Sequence, residues 1–346
     1  MLPEKPVTLK EIATQAGVSV MTVSRALRNH PNISPATQQR VKAIAERLGY
    51  RPNPLVSALM TYRRAARPVR ADLALGFLTD FPTHDGWRRV KLYKEIFEGA
   101  QTSADRHGFH LEEFWLREPG MTDARMSQIL YTRNVGGAII APLPMAQGEL
   151  KLDWDKLSAV TIGYSLTGPL LHRAVNHQFR SMRLALRQLR RLGYRRIGLA
   201  LPASINDRVD HQWVGSFLGE QVDYPPADRV PYLALPDPEW NVANFGRWFR
   251  EHRPDAIVTQ SDELFDWIKE LGRRVPDDVG IAHLNCSDTS GRVAGIYQNG
   301  PTVGAVAVEF LVGMVLRCER GVPALAHSVL VEGTWVSGAT LRAPGK

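Results

Sequence analysis

Two periodicities divide this chain. Up to residue 50, apolar side chains recur three or four positions apart, the spacing of amphipathic helices. Leu9, Ile12 and Ala13 form one such face, Val23 and Leu27 a second, and Val41, Ile44, Ala45 and Leu48 a third. From Asp72 onward, short apolar runs alternate with helical stretches. The runs at 73–78, 138–141, 159–162, 196–201, 256–259 and 280–284 read as strands, and the stretches at 90–107, 122–133, 180–192, 242–252 and 263–271 read as helices. Strands apolar on both faces and separated by helices predict parallel sheets covered on both sides.

Punctuation sharpens the N-terminal pattern. Thr8-Leu9-Lys10-Glu11 is a capping box that starts a helix at Thr8, and Gly17 closes it. Ser19 caps the next helix, so only Gly17 and Val18 intervene, the tight turn of a helix-turn-helix. Ser34-Pro35 opens a third helix, with proline at its first position, and Gly49 ends it. With Val23 and Leu27 facing inward, Val20, Met21, Thr22, Ser24 and Arg25 face outward. A recognition helix presents its N-terminal residues in this way to the major groove. Arg25 suits a bidentate contact to guanine, and Val20 and Met21 suit a thymine methyl. The competing reading is a small helical bundle with no nucleic-acid role.

Charge favours the first reading. Residues 1–70 hold 12 Lys/Arg against 3 Asp/Glu, whereas the other 276 hold 31 against 32. The whole-chain excess of +8 therefore sits in one short segment. A compact basic helical module ahead of a nearly neutral body suggests one part that grips nucleic acid and another that senses something else.

The runs VTLKEIATQAGVSVMTVSRAL and ISPATQQRVKAIAERLGYRPN resemble the lactose/galactose repressor (LacI–GalR) family, with AGVS, TVSR and LGYRPN at its spacing. The resemblance implies an N-terminal all-α helix-turn-helix domain at 1–53. It then implies a hinge helix and basic linker at 54–71 and an α/β periplasmic-binding-protein-like body of two doubly wound parallel-sheet subdomains. We place these at 72–174 with 298–327 and at 175–297 with 328–341, joined by three crossovers. Carried over residue by residue, the DNA contacts would be Thr8, Leu9, Ser19, Val20, Met21, Thr22, Ser24, Arg25, Arg28, Ser34, Thr37, Tyr50 and Asn53, with Val56, Leu59 and Met60 from the hinge. Leu59 matches the leucine that wedges between central bases of a bent minor groove. Val56 stands where relatives usually have Ala. The stretch 62–70 makes the linker longer than expected, either as solvated chain with phosphate contacts or as an ordered arm crossing a partner subunit.

In open α/β sheets ligands bind beyond the carboxyl ends of strands. Those ends give Asp80, Phe81, His84, Trp87 and Pro142 in the first half. In the second they give the segment Asn206 to Gln212, with Gln212 singled out, together with Ser261, Asp262 and Asn285. Trp240 matches a position where relatives stack an aromatic on a sugar or base, although a Trp in so large a body also serves as core. An unpaired carboxylate after an apolar strand, as Asp80 reads, seldom serves packing. Gln212 stands where many sugar-binding relatives have Arg, and Asn285 and Gly163 where they often have acids. These amides suit a neutral effector, a sugar or related metabolite.

No phosphate loop, nucleophile elbow or metal-ligand cluster is present, so an enzyme and a cofactor are not expected. No apolar run approaches the ~20 residues that span a bilayer, and the N-terminus lacks the apolar core of a signal peptide. Cys286 and Cys318 are far apart and read as reduced thiols. The expectation is a cytoplasmic, homodimeric regulator binding a palindromic double-stranded operator. Control by a protein partner and a role as a solute-binding protein remain as alternatives.

Overall fold

A computed structural model describes residues 7–27, 33–50, 74–286 and 289–342. Three helices open the fold: α1 (Leu9–Ala16), α2 (Val20–Leu27) and α3 (Pro35–Arg47). The capping box at α1 is complete, since Thr8 Oγ1 accepts from Glu11 N and Glu11 Oε2 accepts from Thr8 N at 2.8 Å. Gly17 then takes a φ of +61°, a left-handed turn that glycine adopts without strain. Ile12, Ala13, Ala16, Val23, Ala26, Val41, Ile44 and Ala45 close on one another as the module's core. That core shows the inward faces to be those that the sequence predicts.

The body contains two six-stranded sheets. The first draws on β1 (Ala74–Thr79), β2 (His110–Trp115) and β3 (Gly137–Ile140). After the short β4 (Gly148–Glu149) come β5 (Ser158–Ile162), β6 (Leu166–Gly168) and β7 (His172–Asn176). β4 and β6 pair only with each other. The second sheet draws on β8 (Ile197–Pro202), β9 (Leu233–Leu235), β10 (Ala256–Thr259), β11 (Gly280–His283) and β12 (Ala294–Tyr297). Two more strands, β13 (Ser328–Val331) and β14 (Thr334–Val336), end the chain's regular structure. The strand orders are β13-β7-β5-β3-β1-β2 and β14-β12-β11-β10-β8-β9, all parallel except β14 against β12.

Helix α4 (Lys91–Arg106) lies on the first sheet beside α11 (Gly300–Arg317), and α5 (Asp123–Thr132) covers the opposite face. On the second sheet, α6 (Gln178–Arg191) and α8 (Gln212–Gln221) cover one face. α9 (Val242–His252) and α10 (Glu263–Glu270) cover the other, and α7 (Ala203–Arg208) leads from β8 toward α8. α4 and α11 touch backbone to backbone: a Cβ on Gly304 would stand 1.9 Å from the carbonyl oxygen of Ile96. By length and composition α11 is apolar enough to span a membrane, but Val303, Ala307, Val308, Leu311 and Val312 place that apolarity in the first core.

Two expected boundaries are corrected. Val175 and Asn176 end β7 and belong to the first subdomain, and residues 328–331 join them there, because β13 pairs with β7 in the first sheet, Val329 opposite Ala174 and Leu330 opposite Val175. Val331 is buried in the first core, whereas a second-sheet position would have left it without that packing. The chain therefore passes between sheets just after Asn176, at Gln298–Asn299 and at Glu332–Gly333.

Candidate nucleic-acid interface and ligand cleft

The reading helix α2 is anchored at its start by Ser19, whose Oγ accepts from Thr22 N at 3.1 Å and lies 2.9 Å from Thr22 Oγ1. Val23 and Ala26 are buried, which turns Val20 (43% exposed), Met21 (63% exposed) and Arg25 outward. Two consecutive apolar side chains exposed on a basic module carry the reader assignment, because packing gives no reason for them. Thr22 and Ser24 are half-buried on the flank of the same face. Ser34 caps α3 through Thr37 N, and its Oγ lies 2.9 Å from Thr37 Oγ1. Tyr50 is half-buried against the module core, and that burial raises its phenol pKa. Thr8 and Leu9 sit at the start of α1, Thr8 exposed and Leu9 half-buried. Arg28, Asn53, Val56, Leu59 and Met60 lie outside the described residues, as does the basic linker.

The cleft follows from strand order. In the first sheet the winding reverses between β1 and β3, and in the second between β8 and β10. Ligand crevices open at the carboxyl ends of strands flanking such a reversal. Asp80 and Phe81 follow β1, Leu143 and Pro144 follow β3, α7 follows β8, and Ser261 and Asp262 follow β10.

Arg208, the last residue of α7, reaches across to the first subdomain. Its Nη1 donates to the carbonyls of Leu143 (2.6 Å) and Pro144, and its Nη2 donates to the hydroxyl of Tyr93 in the first turn of α4. Tyr93 stands edge-on to Phe81, with ring centroids 6.0 Å apart. Tyr164, beyond β5, lies near Gln212 at the start of α8. Burial raises the Tyr164 phenol pKa, opposed by Gln212 and by Arg173, whose guanidinium lies 5.1 Å from the ring centre. Between α7 and α8, Asp210 and His211 both take left-handed backbone (φ 54° and 56°), a conformation that costs about 1 kcal/mol or more per non-glycine residue. That turn brings Arg208 and Gln212 to the same cleft. Buried Asn206 braces it, with Nδ2 2.6 Å from His211 Nδ1 and Oδ1 accepting from Val214 N.

At the end of β11, His283 is buried, its Nδ1 accepts from Asn285 N at 3.1 Å, and its Nε2 stands 3.4 Å from Asp262 Oδ1. Burial lowers its pKa, and the Asp262 carboxylate opposes the shift. Amides stitch the crossovers: Asn176 Nδ2 donates to the Gln298 carbonyl, Gln298 Nε2 to the Leu284 carbonyl, and Asn299 Nδ2 to the Glu332 carbonyl.

Several expected cleft residues have other surroundings. Trp87 is 1% exposed and packed against Phe77 and Phe97, because the 3-10 turn carrying it folds onto the first core. In this arrangement its ring is part of the first core. Asp80 is not unpaired, since Arg117 holds it in a two-point ion pair at 2.9 and 3.0 Å. Pro142 is buried, so the cleft meets the Leu143–Pro144 carbonyls instead. Trp240 lies half-buried against Trp267, with Nε1 donating to Glu263 Oε2 at 2.9 Å. Exposed His84 stands edge-on to Trp115 and is held by Asp85. Ser261 donates from Oγ to Glu263, and Asp262 is exposed. Sequence reasoning did not single out Tyr93, Tyr164 or Arg208. The available signal for Arg208 was its place four residues before Gln212, inside the segment 206–212.

Residues 8–53 match the family described as bacterial regulatory proteins, lacI family, and residues 186–341 match the periplasmic binding protein-like domain. The HTH-type transcriptional regulator GntR of Escherichia coli (strain K12) is 25% identical over 333 residues, covering 91% of this chain and 93% of the relative. A complex of the transcriptional regulator CelR with cellobiose superposes with a TM-score of 0.57 at 19% identity, covering 96% of this chain and 99% of that one. The lac repressor dimer bound to operator and the anti-inducer ONPF superposes with a TM-score of 0.55 at 20% identity, covering 98% and 100%. The relatives are regulators rather than enzymes, and their two matched parts are the helical reader and the two-sheet body seen here. The capped helix-turn-helix is thus a lacI-family DNA-binding domain, and the twin parallel sheets carry a periplasmic binding protein-like domain, the arrangement of the transcriptional regulators to which the chain is similar.

Proposed function

We propose that this regulator is a cytoplasmic repressor that grips a palindromic operator as a two-fold dimer and releases or tightens it when a small polyhydroxylated effector enters the cleft. The observation that carries the reading is the exposed Val20–Met21 pair beside Arg25 on a capped helix. One helix-turn-helix recognises half of a palindrome, so two-fold pairing of chains completes the site. The lac repressor structure, a dimer on its operator, supports that arrangement by likeness of fold. Cross-cleft bonds from Arg208 supply the coupling element. An effector shifts the balance between arrangements only by its differential affinity for them.

The DNA contacts proposed are Ser19, Val20, Met21, Thr22, Ser24 and Arg25 from α2, with Thr8, Leu9, Arg28, Ser34, Thr37, Tyr50 and Asn53 holding the backbone. Val56, Leu59 and Met60 act in the minor groove. On the effector side stand Phe81, Gln212, Ser261, Asp262 and Asn285.

The test is to incubate the purified chain with fragmented genomic DNA at moderate salt and sequence what it retains. A shared palindrome with a central pyrimidine–purine step is expected, since such steps kink readily for a leucine wedge. Unpatterned recovery would overturn the sequence-specific reading.

A further inference from the structure

We propose that the outer face of α6 and α8 is a docking surface for a partner protein, and that what docks there is an amphipathic helix with an apolar seam and an acidic flank. The proposal goes beyond the operator and cleft readings and depends on neither.

The apolar half of the surface is α8. Trp213, Val214 and Phe217 pack into the second core. On the opposite side Gly215, Leu218, Gly219 and Val222 recur at helical spacing, and all four are exposed, Leu218 by 47% and Val222 by 70%. A single exposed apolar side chain is ordinary, but the solvent stripe of a surface helix carries charged and polar residues. Phe179 extends the stripe from α6: it is exposed, and its carbonyl accepts from Ser216 Oγ at 2.8 Å, so the two helices lie side by side there.

The glycines give the stripe a shape. Neither Gly215 nor Gly219 has the left-handed backbone that demands glycine, and a Cβ on either would meet nothing within 4 Å. Each weakens the helix by about 1 kcal/mol relative to alanine, with no return inside this chain. The distance between packed helices depends on the side chains at the contact. With none at 215 and 219, a partner helix comes close to α8 between Phe179 and Leu218.

Positive charge borders the stripe. α6 carries Arg180, Arg183, Arg187, Arg190 and Arg191 and no acid. Arg180 pairs with Glu332 at 2.8 Å and Arg190 with Asp228 at 3.3 Å, while Arg183 and Arg187 share Glu220 at 2.6 and 3.5 Å. Exposed Arg191 has no ion pair among the described residues. Even with exposed Asp223 counted, five guanidinium groups outnumber the carboxylates beside them, and the surplus sits on the exposed edge at Arg187 and Arg191. That surplus chooses the occupant. A second copy of this chain, laid with its α8 antiparallel on the stripe, would set one arginine row against the other, which like-charge repulsion opposes. A helix with leucine-type residues over the glycines and Asp or Glu toward α6 satisfies both halves of the surface.

The test uses the full-length protein and three fluorescein-labelled peptides of about 18 residues, long enough to hold a helix. The first has a leucine seam at helical spacing and glutamate flanks. The second replaces the glutamates with lysine, and the third replaces the leucines with serine. Anisotropy should show the first binding about ten-fold or more tightly than the others, with its advantage over the lysine peptide shrinking as salt rises. Leu218→Asp and Arg187→Glu should each weaken that binding about five-fold or more. Gly219→Gln should do the same by filling the trough, although it favours the helix. Operator affinity should match wild type in all three variants. Thermal melting checks folding; should Leu218→Asp not fold, Gly219→Gln decides.

Equal binding of the glutamate and lysine peptides, or binding that survives both Leu218→Asp and Gly219→Gln, would overturn the proposal. So would self-association in light scattering that Leu218→Asp abolishes, since the face would then join copies of this chain. Loss of random-duplex DNA binding in Arg187→Glu, with peptide binding intact, would assign the arginines to nucleic acid and overturn it equally.

Discussion

The reader and the cleft achieve their chemistry in opposite ways. In the reader, three helices spend their apolar faces on one another, and what is left, Val20, Met21 and Arg25, points outward. Each of those positions is set by neighbours within a few residues: the Ser19 cap, the Gly17 turn, the inward Val23. In the cleft, Arg208 meets Tyr93 and Leu143 over separations of 115 and 65 residues. Its geometry exists only when two sheets are held in one relation by crossovers. A recognition surface can thus be locally built, whereas a sensing surface needs parts of the fold that can move against each other.

This contrast can be broken or sharpened by substitution. The largest effect is expected for Gly304→Val in the body, whose added Cβ alone would sit 1.9 Å from the Ile96 carbonyl oxygen. Wedging α4 from α11 should destabilise the body by about 3 kcal/mol or more, visible in urea melts. Arg25→Ala should weaken specific operator binding by ~1–3 kcal/mol and relax sequence choice while leaving ligand binding in the cleft unchanged, as anisotropy and calorimetry would report. Ser19→Ala removes the cap of α2 and should cost the reader ~1 kcal/mol, seen as a lower midpoint of helix melting.

The smallest effect is a pH slope. Burial holds the His172 and His283 imidazoles below the ordinary 6.5, with His327 adding to the shift at His172 and Asp262 opposing it at His283. As pH falls below 6.5, the unfolded chain takes up protons that these two sites resist, so the body should lose stability with acid. Melting temperatures at pH 7.5 and 5.5 check this, and His172→Gln should flatten the slope in the body.

What was legible follows the same division. The capping box, the two-residue turn and the outward residues of α2 could be read because helix caps and periodicity are local. So could the strands that carry continuous apolar runs. β2 was not legible, since His110–Trp115 is an edge strand with Glu112 and Glu113 in its middle. β13 was not among the strands read, and nothing in Ser328–Val331 says which sheet it joins. Asp80 read as unpaired because Arg117 approaches from beyond β2, 37 residues away. Trp87 read as cleft because its loop follows β1, and only packing shows that the loop folds back.

The central claim is that the reader and the cleft are energetically coupled. It is tested most directly by measuring affinity for an operator recovered from genomic selection, with and without a saturating ligand shown to bind the cleft. The account predicts a change of at least about five-fold, corresponding to a coupling of ~1 kcal/mol. Operator affinity that stays the same while the cleft is demonstrably filled would contradict it.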